Sequence, residues 1–124
     1  MSLEGEKELK MPNLNYRKGY SLESWVRNHL REQGWTVIRS SGSHTPVDII
    51  AGRHGAILAI QCKSGIGAKF GPEDVDNLLA YAAAFAAKPI LVQRLERETL
   101  WFQVYKGALI ETKEFNPMEV TKNV

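Results

Sequence analysis

A chain of 124 residues, 44% hydrophobic and 24% charged, has the size and composition of one soluble domain that buries an ordinary core without staples. Its single cysteine, Cys62, excludes an intramolecular disulfide and suits a reducing, cytoplasmic compartment. The net charge of +2 hides a polarity: residues 9–71 carry nine Lys/Arg against three acids, and the rest carries seven against eleven. That pattern suits a basic face for a polyanion, although uneven surface charge alone would look the same.

Residues 1–15 read as a polar leader, flexible or in part an addition to the natural chain. Residues 16–111 read as the folded domain and 112–124 as a polar C-terminal tail. No secretory leader is read, and the longest apolar run, 78–87, is too short and too rich in alanine to span a bilayer, so no membrane partner is expected.

The first predicted element is an amphipathic helix over 21–33. Leu22, Trp25, Val26 and Leu30 fall on one stripe, and Gly34 supplies the stop. A strand over 35–39 is followed by a small polar loop, 40–45. Strands over 47–51 and 56–63 flank a turn at Gly52-Arg53-His54-Gly55, and the second of them is apolar enough to be central. The loop 64–71 holds three glycines and Lys69 but lacks the Gly-Lys-Ser/Thr of a P-loop. Pro72 then opens a helix that runs to about residue 87, with Glu73 and Asp74 in its first turn. Strands over 90–95 and 100–105 close the pattern. The expected fold is α/β, ordered α-β-β-β-α-β-β. A mixed five-stranded sheet is flanked by helices, with the first three strands as a meander and the second helix as a crossover.

Two short strings carry the chemistry: Pro46-Val47-Asp48 and Gln61-Cys62-Lys63. Side chains alternate along a strand, so Gln61 and Lys63 share one face and Cys62 takes the other. Pairing across the 52–55 turn would bring Asp48 to the same end. A hard cation such as Mg²⁺ takes oxygen ligands and keeps several waters. Asp48 offers a carboxylate and Cys62 a main-chain carbonyl. A water on such a metal becomes a nucleophile, and Lys63 could orient it and offset charge at a phosphate. An exposed strand lysine lying over the sheet would leave the same trace in the sequence. His29, His44 and His54 lack metal-ligand spacing and read as surface or loop residues. Cys62, on the buried face, is not expected to act as a nucleophile.

The strings Tyr16-Arg17-Lys18-Gly19-x-x-x-Glu23, Val37-Ile38-Arg39-Ser40-Ser41-Gly42-Ser43, Val47-Asp48-Ile49-Ile50-Ala51-Gly52 and Gln61-Cys62-Lys63 together resemble the archaeal-type Holliday junction resolvases of the PD-(D/E)xK nuclease superfamily. The likeness runs from about residue 16 to 109. It implies a restriction-endonuclease-like core and a homodimer that cuts opposed strands of four-way junction DNA with Mg²⁺, for which Mn²⁺ is expected to substitute. Carried over by position, Glu23 is a helix-borne acid near the metal, and Asp48 is the main ligand. Gln61 and the Cys62 carbonyl complete the metal site, and Lys63 is the catalytic lysine. Arg39 and Ser43 match residues at the scissile phosphate, where an arginine can fork onto two oxygens. Glu23 could equally be a solvated acid paired with Arg27 one turn on. Lys10, Arg17, Lys18, Arg53 and Lys69 are the further cations expected to meet DNA phosphates. On the second helix, Tyr81 and Phe85 stand at i and i+4 in an alanine-rich frame. The resemblance puts them at the dimer interface, and the pattern alone would also allow the monomer core.

The chain departs from the family at two places. Ser24 follows Glu23 where the family has an arginine. Gln61 stands where the family has an acid, and an amide oxygen coordinates without bringing charge. Three accounts of Gln61 stay open: a natural variant that cuts, an impaired junction binder, or a deliberate Glu-to-Gln change.

Overall fold

The computed structural model describes residues 14–40, 45–65, 70–105 and 108–112, with side chains from residue 21 onward, those of Tyr105 and Thr112 excepted. In chain order the elements are α1 (Leu14–Glu32), β1 (Thr36–Arg39), β2 (Ile49–Arg53), β3 (Ala56–Ser64), α2 (Pro72–Ala84), β4 (Lys88–Leu95), β5 (Glu98–Tyr105) and β6 (Ala108–Thr112). The strands form one sheet in sequence order. All neighbours are antiparallel except β3 and β4, which run parallel. A parallel pair needs a crossover, and α2 provides it.

Alternation along β3 separates two cores. Leu58 and Ile60 pack with Leu22, Val26 and Leu30 of α1, with Ile49 and Ala51 of β2, and with Ile90 and Val92 of β4. Ala59 faces the other way, with Val47, Leu91, and Leu78 and Ala82 of α2. Each helix therefore covers one face of the sheet. Burying a Leu or Val side chain fully contributes about 1.5–3 kcal/mol, and Leu22, Val26 and Leu30 are all at 0% exposure. Apolar packing thus fixes where α1 sits.

Several boundaries differ from the sequence expectation. The sheet has six strands, not five. Ala108, Leu109, Ile110 and Glu111 of β6 are all exposed, so this edge strand pairs through its backbone and leaves no burial pattern to read. α1 begins at Leu14, seven residues before the expected start and inside the leader, because the apolar stripe that marked it starts only at Leu22. Trp25 is not a core residue: at 40% exposure it lies at the margin of the stripe and stacks on His29 with ring centroids 4.9 Å apart.

Gly52 and Arg53 belong to β2, so the turn is the pair His54-Gly55 alone. Both have positive φ, +51° and +84°, the hand that suits a two-residue hairpin. α2 ends at Ala84, three residues short of the expected end. Ala86 adopts φ +54°, and the Ala87 N–H donates to the Ala82 carbonyl at 2.8 Å, which closes the helix in the manner of a Schellman turn. Among the described residues no helix is long and apolar enough to cross a membrane.

Candidate active site

Asp48 lies one residue before β2, where the chain enters the strand. Its main chain is held on both sides. The Asp48 N–H donates to the Ile60 carbonyl at 2.8 Å, and its own carbonyl accepts the Ser40 N–H at 2.9 Å. The β2–β3 register stops at Ile49↔Ile60, and just beyond it the Cys62 N–H donates to Asp48 Oδ2 at 2.8 Å. The carboxylate is thereby fixed against the Gln61–Cys62–Lys63 segment of β3.

Burial pushes the Asp48 carboxyl up from 3.8 to about 6; the Cys62 N–H holds it back, the nearby Glu23 charge raises it again, and Arg39 and Lys63 lower it. At neutral pH it is mostly ionised yet poorly hydrated, the state in which a cation gains most from it.

Glu23 comes from α1 and Arg39 from the end of β1. They meet as Arg39 Nε to Glu23 Oε1 at 3.4 Å. Glu23 thus has a partner on an edge strand as well as the helical neighbour Arg27 that the sequence suggested. Glu23–Arg39 is a long, half-exposed contact, of a kind that typically contributes under about 1 kcal/mol. Its importance is placement, since both residues act on Asp48.

Lys63 stands on the opposite flank. Its Nζ donates to Asp74 Oδ2 at 3.1 Å and lies 5.7 Å from the centre of the Phe70 ring. Asp74, in the first turn of α2, also accepts the Gly71 N–H at 3.0 Å. These contacts hold the Asp74 carboxyl below its ordinary value, the Gly71 N–H more than Lys63. The role of Asp74 was missed in the sequence. Its placement after Gly71-Pro72 signals a helix start, but nothing in the sequence relates it to a lysine eleven residues earlier.

Gln61 Oε1 is buried and without a hydrogen-bond partner. Such an orphaned acceptor typically costs about 1–3 kcal/mol, so a cation or a water is its natural complement. Among the described residues no three His, Cys, Asp or Glu side chains gather at one point. The donors are instead one carboxylate, one neutral amide oxygen and a main-chain carbonyl at Cys62. All are hard oxygens, and this set fits Mg²⁺ better than a softer metal. The Cys62 thiol is pushed well up, mainly by burial and then by the charges of Asp48 and Glu23. It remains a neutral thiol packed against the α1 core.

The fold therefore brings Glu23, Arg39, Asp48, Gln61, Cys62 and Lys63 to one end of the sheet. Arg53 is at the other end of β2, beside Gly34 and the hairpin. His54, also at that end, is an exposed turn residue. Tyr81 and Phe85 are 39% and 54% exposed on the outer side of α2, while Leu78 and Ala82 face the core, which removes the monomer-core alternative. Lys10, Ser43, His44 and Lys69 lie outside the described residues, as do the side chains of Arg17 and Lys18.

A mixed sheet with a helix on each face, an acid at the entry of one strand and a Gln-x-Lys at the exit of its neighbour place the chain in the restriction-endonuclease-like class. Within that class the solved structure of Hjc from Archaeoglobus fulgidus, a Holliday junction resolvase, superposes with a TM-score of 0.64 at 24% identity, covering 86% of this chain and 98% of that one. A bacterial homing endonuclease, I-Ssp6803I, shares the fold more distantly, with a TM-score of 0.50, 14% identity and 85% and 82% coverage of the two chains. The profile of the archaeal Holliday junction resolvase (Hjc) family matches residues 14–124, and the chain belongs to that family. Crossover junction endodeoxyribonuclease Hjc of Methanocaldococcus jannaschii is 38% identical to it over 92 residues, which are 73% of this chain and 68% of the relative.

Proposed function

We propose that this chain is a structure-selective endodeoxyribonuclease that binds four-way DNA junctions as a homodimer and hydrolyses phosphodiesters on opposed strands with Mg²⁺. The observation that carries this reading is the assembly of Asp48, Gln61 and Lys63 at one sheet end in a member of a resolvase family. In this reading Asp48, the Gln61 amide oxygen and the Cys62 carbonyl hold Mg²⁺, with Glu23 close by. The ion would supply an acidified water and neutralise charge at the phosphate. Lys63 orients the attacking oxygen and offsets transition-state charge. Arg39 and Ser43 grip the scissile phosphate, Lys10, Arg17, Lys18 and Lys69 meet flanking phosphates and Arg53, at the far end of β2, a more distant one, so affinity should fall steeply with salt. The exposed Tyr81 and Phe85 suit an aromatic anchor between two copies. Two sites related by a twofold axis would match paired incisions on a symmetric junction.

The test compares a labelled four-way junction with a linear duplex of the same sequence, in Mg²⁺ and in EDTA. Junction cutting in Mg²⁺ alone is expected, and equal rates on both substrates would overturn the junction claim. The neutral Gln61 favours one other reading, a junction binder with impaired chemistry. Gln61→Glu decides between them: cutting that appears only in this variant makes the chain a binder, whereas good cutting by both makes charge at this position dispensable.

A further inference from the structure

In the family pattern the residue two before the lysine is an acid, and the alternation of β3 puts it on the same face as the lysine. Here that position is the neutral Gln61. Lys63 finds its counter-charge on Asp74 of α2 at 3.1 Å. Asp74 cannot drift, because its Oδ2 also accepts the Gly71 N–H at 3.0 Å and Pro72 fixes the backbone at the helix start. Phe70 lies against the same ammonium at 5.7 Å. The pair is partly open, with side-chain exposures of 33% and 32%, so Lys63 remains reachable from solvent while held at one point.

We infer that Asp74, in the first turn of α2, is a positioning residue for Lys63. This rests on the reading of Lys63 as the catalytic lysine. A lysine has four side-chain torsions and loses considerable rotamer freedom when it must reach one place. A partly exposed ion pair contributes little to stability, so the bond acts chiefly on geometry. Small misplacements of a catalytic group cost up to about 100-fold in rate. Asp74 touches neither nucleophile nor phosphate in this scheme; it acts only through Lys63.

The bland alternative is that Asp74 merely caps α2. Asp74→Asn separates the two, because its amide oxygen still accepts the Gly71 N–H while the charge facing Lys63 is gone. The experiment measures single-turnover cutting at saturating junction, junction affinity, and the ¹⁵N ammonium signal of Lys63 in the free protein, assigned by its loss in Lys63→Arg. Asp74→Asn should cut about tenfold or more slowly with affinity within about twofold. Its Lys63 signal should broaden into those of the mobile lysines. Asp74→Glu, which restores the charge, should recover most of the rate and the ordered signal. Glu73→Gln, an exposed neighbour, should change neither.

Cutting by Asp74→Asn at the full rate or faster, an equal loss in Glu73→Gln, or an ordered Lys63 signal that survives Asp74→Asn would overturn the proposal. Should Asp74→Asn melt early, Asp74→Ser, which also offers Gly71 an acceptor, takes its place. A chain that cuts no DNA, even as Gln61→Glu, would remove the proposed nuclease function. The ammonium signal, read without DNA or metal, would still decide the Lys63–Asp74 coupling.

Discussion

The two flanks of the candidate site are each closed by an ion pair, and the pairs act on different groups. On the α1 flank, Glu23 and Arg39 meet at 3.4 Å, and both shift the Asp48 carboxyl, in opposite directions. On the α2 flank, Asp74 meets Lys63 at 3.1 Å and is itself fixed by Gly71. One flank tunes a carboxylate and the other holds an ammonium. The α1 flank thus bears mainly on acid strength and the α2 flank on lysine placement, with Lys63 the link between them because it too lowers the Asp48 carboxyl.

The largest effects should come from the groups between the flanks. Asp48→Asn and Lys63→Met should each lower single-turnover cutting by about 10²-fold or more, by analogy with loss of one transition-state stabiliser. Residual rates within tenfold of the unmodified chain would exclude both from the chemistry. Asp48→Asn carries a second signature. In the unfolded chain this carboxyl ionises near 3.8, but in the fold near 6. Between those values the fold keeps a proton that the unfolded chain has lost, so the native state is favoured on the acid side. The destabilisation caused by Asp48 is absent below about pH 4, grows through the window, and is complete above about 6. In EDTA, Asp48→Asn should therefore match the parent at pH 4 and be more stable by about 1–3 kcal/mol at pH 8. Denaturant melts at the two pH values check this, and a variant less stable at pH 8 would refute it.

A smaller effect sharpens the contrast between flanks. Glu23→Gln removes a charge that raises the Asp48 carboxyl, so the acid limb of the cutting profile should move to lower pH. Asp74→Asn should slow cutting and leave that limb in place. Movement of the limb by Asp74→Asn alone would show that the flanks are not independent. The smallest effect lies at the far end of α2. Ala86 holds φ +54° where glycine carries no steric penalty. Ala86→Gly should raise stability by at most about 1 kcal/mol in urea melts, with cutting unchanged.

Much of this arrangement is legible in the sequence, for identifiable reasons. Leu22, Val26 and Leu30 repeat at helical spacing, and Ile49 and Ala51 alternate at strand spacing, so α1 and β2 announce themselves through burial. Asp48, Gln61 and Lys63 follow from alternation once the hairpin is assumed. β6 was illegible because it buries none of its described side chains. Trp25 misled because an aromatic at the margin of a stripe looks like one at its centre. The Lys63–Asp74 bond joins two elements through a loop, and no periodicity spans a loop. The Glu23–Arg39 contact was hidden for a similar reason: helix spacing points Glu23 only to Arg27, and a partner on another element comes from tertiary packing.

The hairpin at His54-Gly55 also serves as a ruler. From Arg53↔Ala56 back to Ile49↔Ile60 the two strands count off residue against residue, and just past the last pair the Asp48 N–H donates to the Ile60 carbonyl while its carboxylate accepts the Cys62 N–H. A side chain changes face at every residue, so one residue added to the turn would shift the count by one. The carboxylate would then confront the other side of β3, with every active-site residue still present. The thirteen-residue interval between the two strings is therefore a length cut to measure at the opposite end of the sheet. A lengthened turn there should silence the site without touching it.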